Sequence, residues 1–338
     1  MGEARFFHIN SKGKLTREST LEEALAAGKR GGYIWLDYVD PTREQLNLLV
    51  DPLEIHPLSV EDCVDDDQVP KMDDFHNNTF ILVNRYAYAE HQIRLAEVDL
   101  ILGGTFLVSV NHEQASASAF YNKLDEQIAL DADEVKKGPE FLLHVILDYI
   151  VDRKYHAIEQ LQDDLDTAEE QIIKSPRSYQ PEELMHLRRS LLTLRKSLFH
   201  EREILVKICR RDSPYIGEKS LYHFRDIYDH LAKFFEVTEL YREMITSLME
   251  MYLSLINNEM ALTANRTNLV VRRLTLITTI FMPLTLLAGI GGMSEWSMMT
   301  GPENWPIAYA LFLTGMVVLG AGNYALLKWV ERRADRDS

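Results

Sequence analysis

A chain of 338 residues with 52 acidic against 36 basic side chains, a net charge of −16, has the wrong sign for binding nucleic acid and attracts cations instead. Its two cysteines, Cys63 and Cys209, have no CxxC spacing and read as reduced thiols rather than a disulfide framework. There is no nucleophile elbow, phosphate-binding glycine loop or HExxH pair, so neither an enzyme nor a cofactor is expected.

Residues 1–138 mix strand and helix signals. GGYIWLDYV, TFILVNRYAY, LAEVDLILGG and TFLVSVNHE are rich in β-branched and aromatic residues with turn signals at their ends, and TREQLNLLVD between them has helical spacing. These predict a compact domain of mixed α+β class. The opening MGEARFFHIN is too polar for a signal peptide, so the first membrane span is expected to direct insertion.

Residues 139–212 start at Gly138-Pro139, a favoured helix entry, after which strand signals vanish. Helices from about Glu140 to Lys174 and from about Glu182 to Arg211, joined by SPRSYQP, predict an antiparallel hairpin. The first arm carries Asp163, Asp164, Asp166, Glu169 and Glu170, which read either as a solvated face or as a weak surface for divalent cations or a partner. DSPYIG then breaks the chain, and a helical pattern without internal proline runs from about Lys219 to Pro283. At 1.5 Å per residue such a helix is about 100 Å long. It cannot bury its apolar stripe alone, and the cytoplasmic stalk part, residues 213–269, predicts an oligomer bundled around a common axis.

Within the first span, residues 270–293, the run from Leu274 to Met293 is uncharged, and 305–330 is uncharged apart from Lys328 near its end; each is close to the roughly 20 residues that a membrane-spanning helix needs. Arg266, Arg272 and Arg273 precede the uncharged run of the first span; Lys328 and the basic tail 331–338, with Arg332, Arg333 and Arg336, close the second. The loop 294–304 between them has no Lys or Arg. Positive charge stays inside, so both termini are expected in the cytoplasm, the loop outside and the protein in the inner (plasma) membrane, with the bilayer as a partner.

Several strings resemble the CorA family of divalent cation transporters, over nearly the whole chain. They are HPLSVED at His56 to Asp62 with VPK at Val69 to Lys71, FRDIYDH at Phe224 to His230, YLS at Tyr252 to Ser254, and the highly specific LTLITTIFMPLTLLAGI at Leu274 to Ile290. The resemblance implies a funnel-shaped homopentamer whose five first spans line a pore while the second spans ring them. It also departs from the family in two places. The YGMN that closes the family's first span stands here as Gly291-Gly292-Met293-Ser294, and the interval from YLS to the apolar string is about two helical turns longer.

Asn268, Val271, Leu274, Thr278, Met282, Thr285, Gly289 and Gly292 step by three and four, share one helix face and match the family's pore-facing positions. Leu274 and Met282 suit an apolar constriction, while the threonine hydroxyls and glycine carbonyls offer weak oxygen contacts to a hydrated ion. The same stripe of small residues also suits a helix interface. Pro283 frees the carbonyl of Thr279 and allows a kink. At the mouth, Gly292, Met293, Ser294, Glu295 and Glu303 are the selectivity candidates. Ser294 has one hydroxyl where the family has an asparagine amide, which passes part of the cation attraction to the two glutamates.

His223, Asp226 and His230 also share a helix face and are candidate regulatory metal ligands, Asp226 matching a family position that contributes to a divalent site between protomers. Glu61, Asp62 and Asp65 to Asp67 form a second acidic group with a loop or cap role expected for most of it. All eleven histidines lie at or before His230, so the first span offers no nitrogen or sulfur ligand to strip Zn²⁺. The expected function is a channel for Mg²⁺, with Zn²⁺, Co²⁺ or Ni²⁺ as further cargo. The alternatives are a ZntB-like proton-coupled zinc transporter, which lacks a titratable group in the first span, and a non-conducting membrane sensor or scaffold.

Overall fold

The computed structural model describes residues 3–65, 68–89, 91–112, 123–292 and 294–337, the stretches 294–300, 302–303 and 330–337 in backbone only. It divides into two compact units, residues 1–252 and 253–338.

The first unit is built on a seven-stranded sheet of order β2-β1-β3-β7-β6-β5-β4. The strands are β1 (Glu3–Ile9), β2 (Leu15–Glu18), β3 (Tyr33–Val39), β4 (Lys71–Asp74), β5 (Thr79–Ala89), β6 (Gln92–Leu102) and β7 (Phe106–Asn111). Only β3 and β7 run parallel. They are the sheet centre, and their side chains are buried on both faces, which explains the continuous apolar runs YIWLDYV and FLVSVN. The four runs predicted as strands are β3, β5, β6 and β7. The periodicity reading missed β1, β2 and β4; LTRE and KMDD are short polar edge strands with no apolar alternation, whereas β1 alternates in burial behind a polar opening.

One sheet face is covered by α1 (Leu21–Gly28), α2 (Arg43–Leu53) and α3 (Pro57–Asp62), whose Ala24, Leu46, Leu49 and Val60 join Leu36, Phe80, Ile101 and Val108 in one core. Thr42 caps α2 through a reciprocal pair with Gln45, fixing the start that the sequence TREQ predicts. After α4 (123–130) and α5 (Ala132–Val135), α6 (Pro139–Lys174) and α7 (Pro181–Cys209) form the predicted hairpin and cover the other face. Pro139 and Pro181 each occupy the first helical position, where a missing N–H costs nothing.

The motif HPLSVED turns out to be local architecture. His56 caps α3 by accepting the Leu58 N–H at 3.2 Å and stacks on Phe75, while Asp62 pairs with Lys71 of the VPK string at 2.7 Å. That ion pair ties the end of α3 to β4.

α8 runs unbroken from Leu221 to Gly291, 71 residues, with Pro283 inside it. α9 spans Ser294–Asp337 with one non-helical residue, Gly301, at φ 70°. The connecting residues 294–304 are therefore helical on either side of a glycine kink rather than an irregular loop. Two stretches, the end of α8 and Asn304–Trp329, are long and apolar enough to cross a membrane.

Candidate functional site

In the second unit, α8 packs against α9 along a narrow stripe. The half-buried residues of α8 are Leu276, Ile280, Leu284, Leu287 and Gly291, and those of α9 include Phe312, Met316, Gly320 and Asn323, each stepping by three or four. The approach is close at Gly291 and ordinary contact at Gly320. A Cβ on Gly291 would sit 2.7 Å from the Phe312 ring, and one on Gly320 would sit 3.5 Å from Leu284.

All eight residues of the predicted pathway face, Asn268, Val271, Leu274, Thr278, Met282, Thr285, Gly289 and Gly292, are exposed. From Leu274 to Gly289, they stand two positions before the packed stripe: 274 against 276, 278 against 280, 282 against 284, 285 against 287, 289 against 291. Two residues turn an α-helix by about 200°, so packing on α9 aims the pathway face away from it. Thr278, Met282, Thr285 and Gly289 line an open groove of about 740 Å³ together with Ile277, Phe281, Leu286 and Ile290.

The threonines of this face are polarised in one sense. Thr278 Oγ1 donates to the Leu274 carbonyl at 2.8 Å and Thr285 Oγ1 to the Phe281 carbonyl at 2.8 Å. Each hydroxyl hydrogen is spent on the backbone, so what remains toward the groove is oxygen lone pairs, which accept from a cation's water shell.

At the mouth, Gly292 closes α8 by donating to the Ala288 carbonyl at 3.0 Å. Met293 lies outside the described residues. Ser294, Glu295 and Glu303 belong to α9, and only their backbone is described.

In the first unit, the head of α8 carries the predicted cation ligands. His230 Nε2 stands 3.8 Å from Asp226, whose side chain is 71% exposed. His223 turns elsewhere: it meets Glu134 Oε2 at 3.3 Å and lies against the ring of His144 at 4.6 Å between centroids. Among the described residues, His223 therefore does not share a single three-ligand point with Asp226 and His230. The surroundings are strongly acidic. Burial, then Asp152 and Asp226, push the Asp148 carboxyl up to about 6, and burial with His223 nearby holds His144 down to about 4. Burial and neighbouring carboxylates both raise this carboxyl, and the second of these reports a negative potential that a cation would relieve. His144 and Asp148 come from α6, seventy or more positions away, so spacing along α8 does not reveal them.

Of the acidic hairpin residues, Asp164 accepts from Tyr88 and pairs with His91 at 2.8 Å, and Glu170 pairs with Lys174. They bind their own fold. Gln68 Nε2 likewise ties down the carbonyls of Asp62 and Asp65.

Known proteins align with the chain over most of its length. The family model described as CorA-like Mg2+ transporter protein matches residues 30–329. The cobalt/magnesium transport protein CorA of Thermotoga maritima is 32% identical over 269 residues, covering 78% of this chain and 73% of that protein. The complete structure of the CorA magnesium transporter from Methanocaldococcus jannaschii superposes with a TM-score of 0.68 at 23% identity, covering 98% of this chain and 97% of that one. The ZntB cytoplasmic domain from Vibrio parahaemolyticus shares the fold of its part, with a TM-score of 0.60 at 11% identity over 76% of this chain and 100% of that one. The chain thus belongs to the CorA-like Mg²⁺ transporter family, membrane-embedded transporters of divalent metal cations rather than enzymes.

Proposed function

We propose that this chain assembles as a homopentamer in the inner membrane, both termini cytoplasmic, and conducts hydrated divalent cations, Mg²⁺ first, along the face from Asn268 to Gly292. The observation that carries this reading is the two-residue offset: α9 covers one side of α8, and the opposite side, with its threonine lone pairs and apolar Leu274 and Met282, is left for copies of itself. Mg²⁺ releases water reluctantly, so a pathway of hydroxyl and carbonyl oxygens serves the hydrated ion well. Leu274 and Met282, 63% and 67% exposed in the single chain, would form apolar rings that stop flow by dewetting.

The altered mouth broadens the cargo. Ser294 in place of an asparagine weakens the grip on the water shell, and Glu295 and Glu303 would concentrate cations above it. Zn²⁺ or Co²⁺ would pass in the same hydrated way. Asp226, exposed beside His230 and near the half-buried Asp148 carboxyl, would join a regulatory divalent site completed by a neighbouring protomer, and binding there would favour the closed state.

The test is uptake by reconstituted liposomes loaded with Mg²⁺ and Zn²⁺ dyes, with and without a pH gradient. Gradient-independent Mg²⁺ entry is expected. Zinc entry that requires the gradient would replace this reading with a proton-coupled one, and entry of neither ion would leave a sensor or scaffold.

A further inference from the structure

A set of ligand atoms lies in the first unit, where β6 meets the end of β7. Glu97 and Asp99 are two apart on β6 and so point to the same sheet face. Val98 pairs with Asn111, which puts His112, one step on, across from Glu97. One ligand atom from each of Glu97, Asp99 and His112 lies within 4.8 Å of the others. His112 Nε2 and Asp99 Oδ2 are 2.8 Å apart.

The Asp99 side chain is fully buried, and its other oxygen, Oδ1, has no hydrogen-bond partner among the described residues. The group facing this carboxyl from the end of α3 is the buried thiol of Cys63, a weak donor and a soft neighbour. A thiol gives this buried carboxyl at most a weak hydrogen bond, so the carboxylate is poorly satisfied where it lies. Glu97 is held in place by the Gln68 backbone N–H at 2.6 Å.

We propose that Glu97, Asp99 and His112 bind one borderline divalent ion of the Zn²⁺ or Co²⁺ class. An ion with bonds of about 2.0–2.2 Å to nitrogen and oxygen fits a set of this size. One imidazole nitrogen with two carboxylates selects such an ion over Mg²⁺, which demands an octahedron of oxygens and keeps its water. The Cys63 thiol adds to that preference. Binding would clamp β6 to the end of β7 beneath α3, in the cytoplasmic unit and apart from the proposed conduction path, so the site does not rest on the pore reading.

The test uses the full chain in detergent with Co²⁺ as the probe, read by its visible d–d absorption and by titration calorimetry. The stalk-head ligands are removed first in a His223→Ala/Asp226→Asn/His230→Ala background. One tight Co²⁺ site is expected there, resisting competition by an equal concentration of Mg²⁺. His112→Ala and Glu97→Gln are each expected to weaken it by at least about tenfold, Glu97→Gln, at a partly exposed position, with the unfolding midpoint of the metal-free protein unchanged. Co²⁺ spectra and isotherms identical in these variants and their parent would overturn the proposal, as would Mg²⁺ competing on equal terms.

Discussion

Lys154 of α6 and Glu201 of α7 are 0% and 1% exposed, and the ammonium touches both carboxylate oxygens at 2.6 Å. The Asn84 backbone completes the arrangement: its N–H donates to Glu201 at 2.9 Å and its carbonyl accepts from Lys154 at 2.5 Å. Burial pulls the lysine's pKa downward, and the Glu201 carboxylate opposes that shift. Removing one partner leaves the other charge dry, at a cost of about 3–5 kcal/mol, whereas an apolar pair of similar volume restores most of it. Lys154→Met and Glu201→Leu are each expected to lower the denaturant midpoint of the solubilised protein strongly, and the double variant to return to within about 1 kcal/mol of the parent. A double variant as unstable as the sum of the singles would show that the pair fixes the hairpin for other reasons. No sequence rule flags this pair, because its members lie 47 positions apart and Asn84 comes from β5. His56 is the converse case: conspicuous as the first residue of HPLSVED, it serves as a helix cap.

At the scale of elements, the end of α8 has two glycines with opposite surroundings. Gly291 faces Phe312, where an added Cβ would be 2.7 Å from the ring, while Gly289 has nothing within 4 Å. Gly291→Ala is expected to push α9 outward and destabilise the pair by about 1–3 kcal/mol. Gly289→Ala is expected to leave thermal stability unchanged and to reduce divalent uptake severalfold, because five methyl groups would enter the proposed pathway. The two readouts, melting and liposome flux, separate the packed face from the one proposed to conduct. Equal loss of stability in both variants would place Gly289 in a helix contact instead. Apolar length made the spans legible in the sequence, and periodicity picked out the face proposed as the pathway. The α9 contact stripe was not, since a helix apolar on all sides carries no periodic mark of which side meets its neighbour.

For the whole molecule, a 71-residue helix with its second half exposed has no reason to exist as one copy. Leu269, Val270, Leu274, Phe281, Met282 and Leu286 are each more than half exposed in the single chain. Light scattering of the detergent-solubilised protein is expected to give the mass of five copies of a 39.1 kDa chain, and a monomer would sink the pore reading. The sequence by itself determined the family, the long helix, the two spans and the sign of the charge. Each of these is written in local runs of apolar residues, proline and glycine breaks, or a motif of consecutive residues. Tertiary structure alone decided which face of α8 is covered, that His223 leans on His144 and Glu134 rather than joining Asp226, and that Glu97, Asp99 and His112 converge. Those outcomes depend on strand register and on helices from distant parts of the chain, and contacts of that kind leave no periodic trace in the residues that make them.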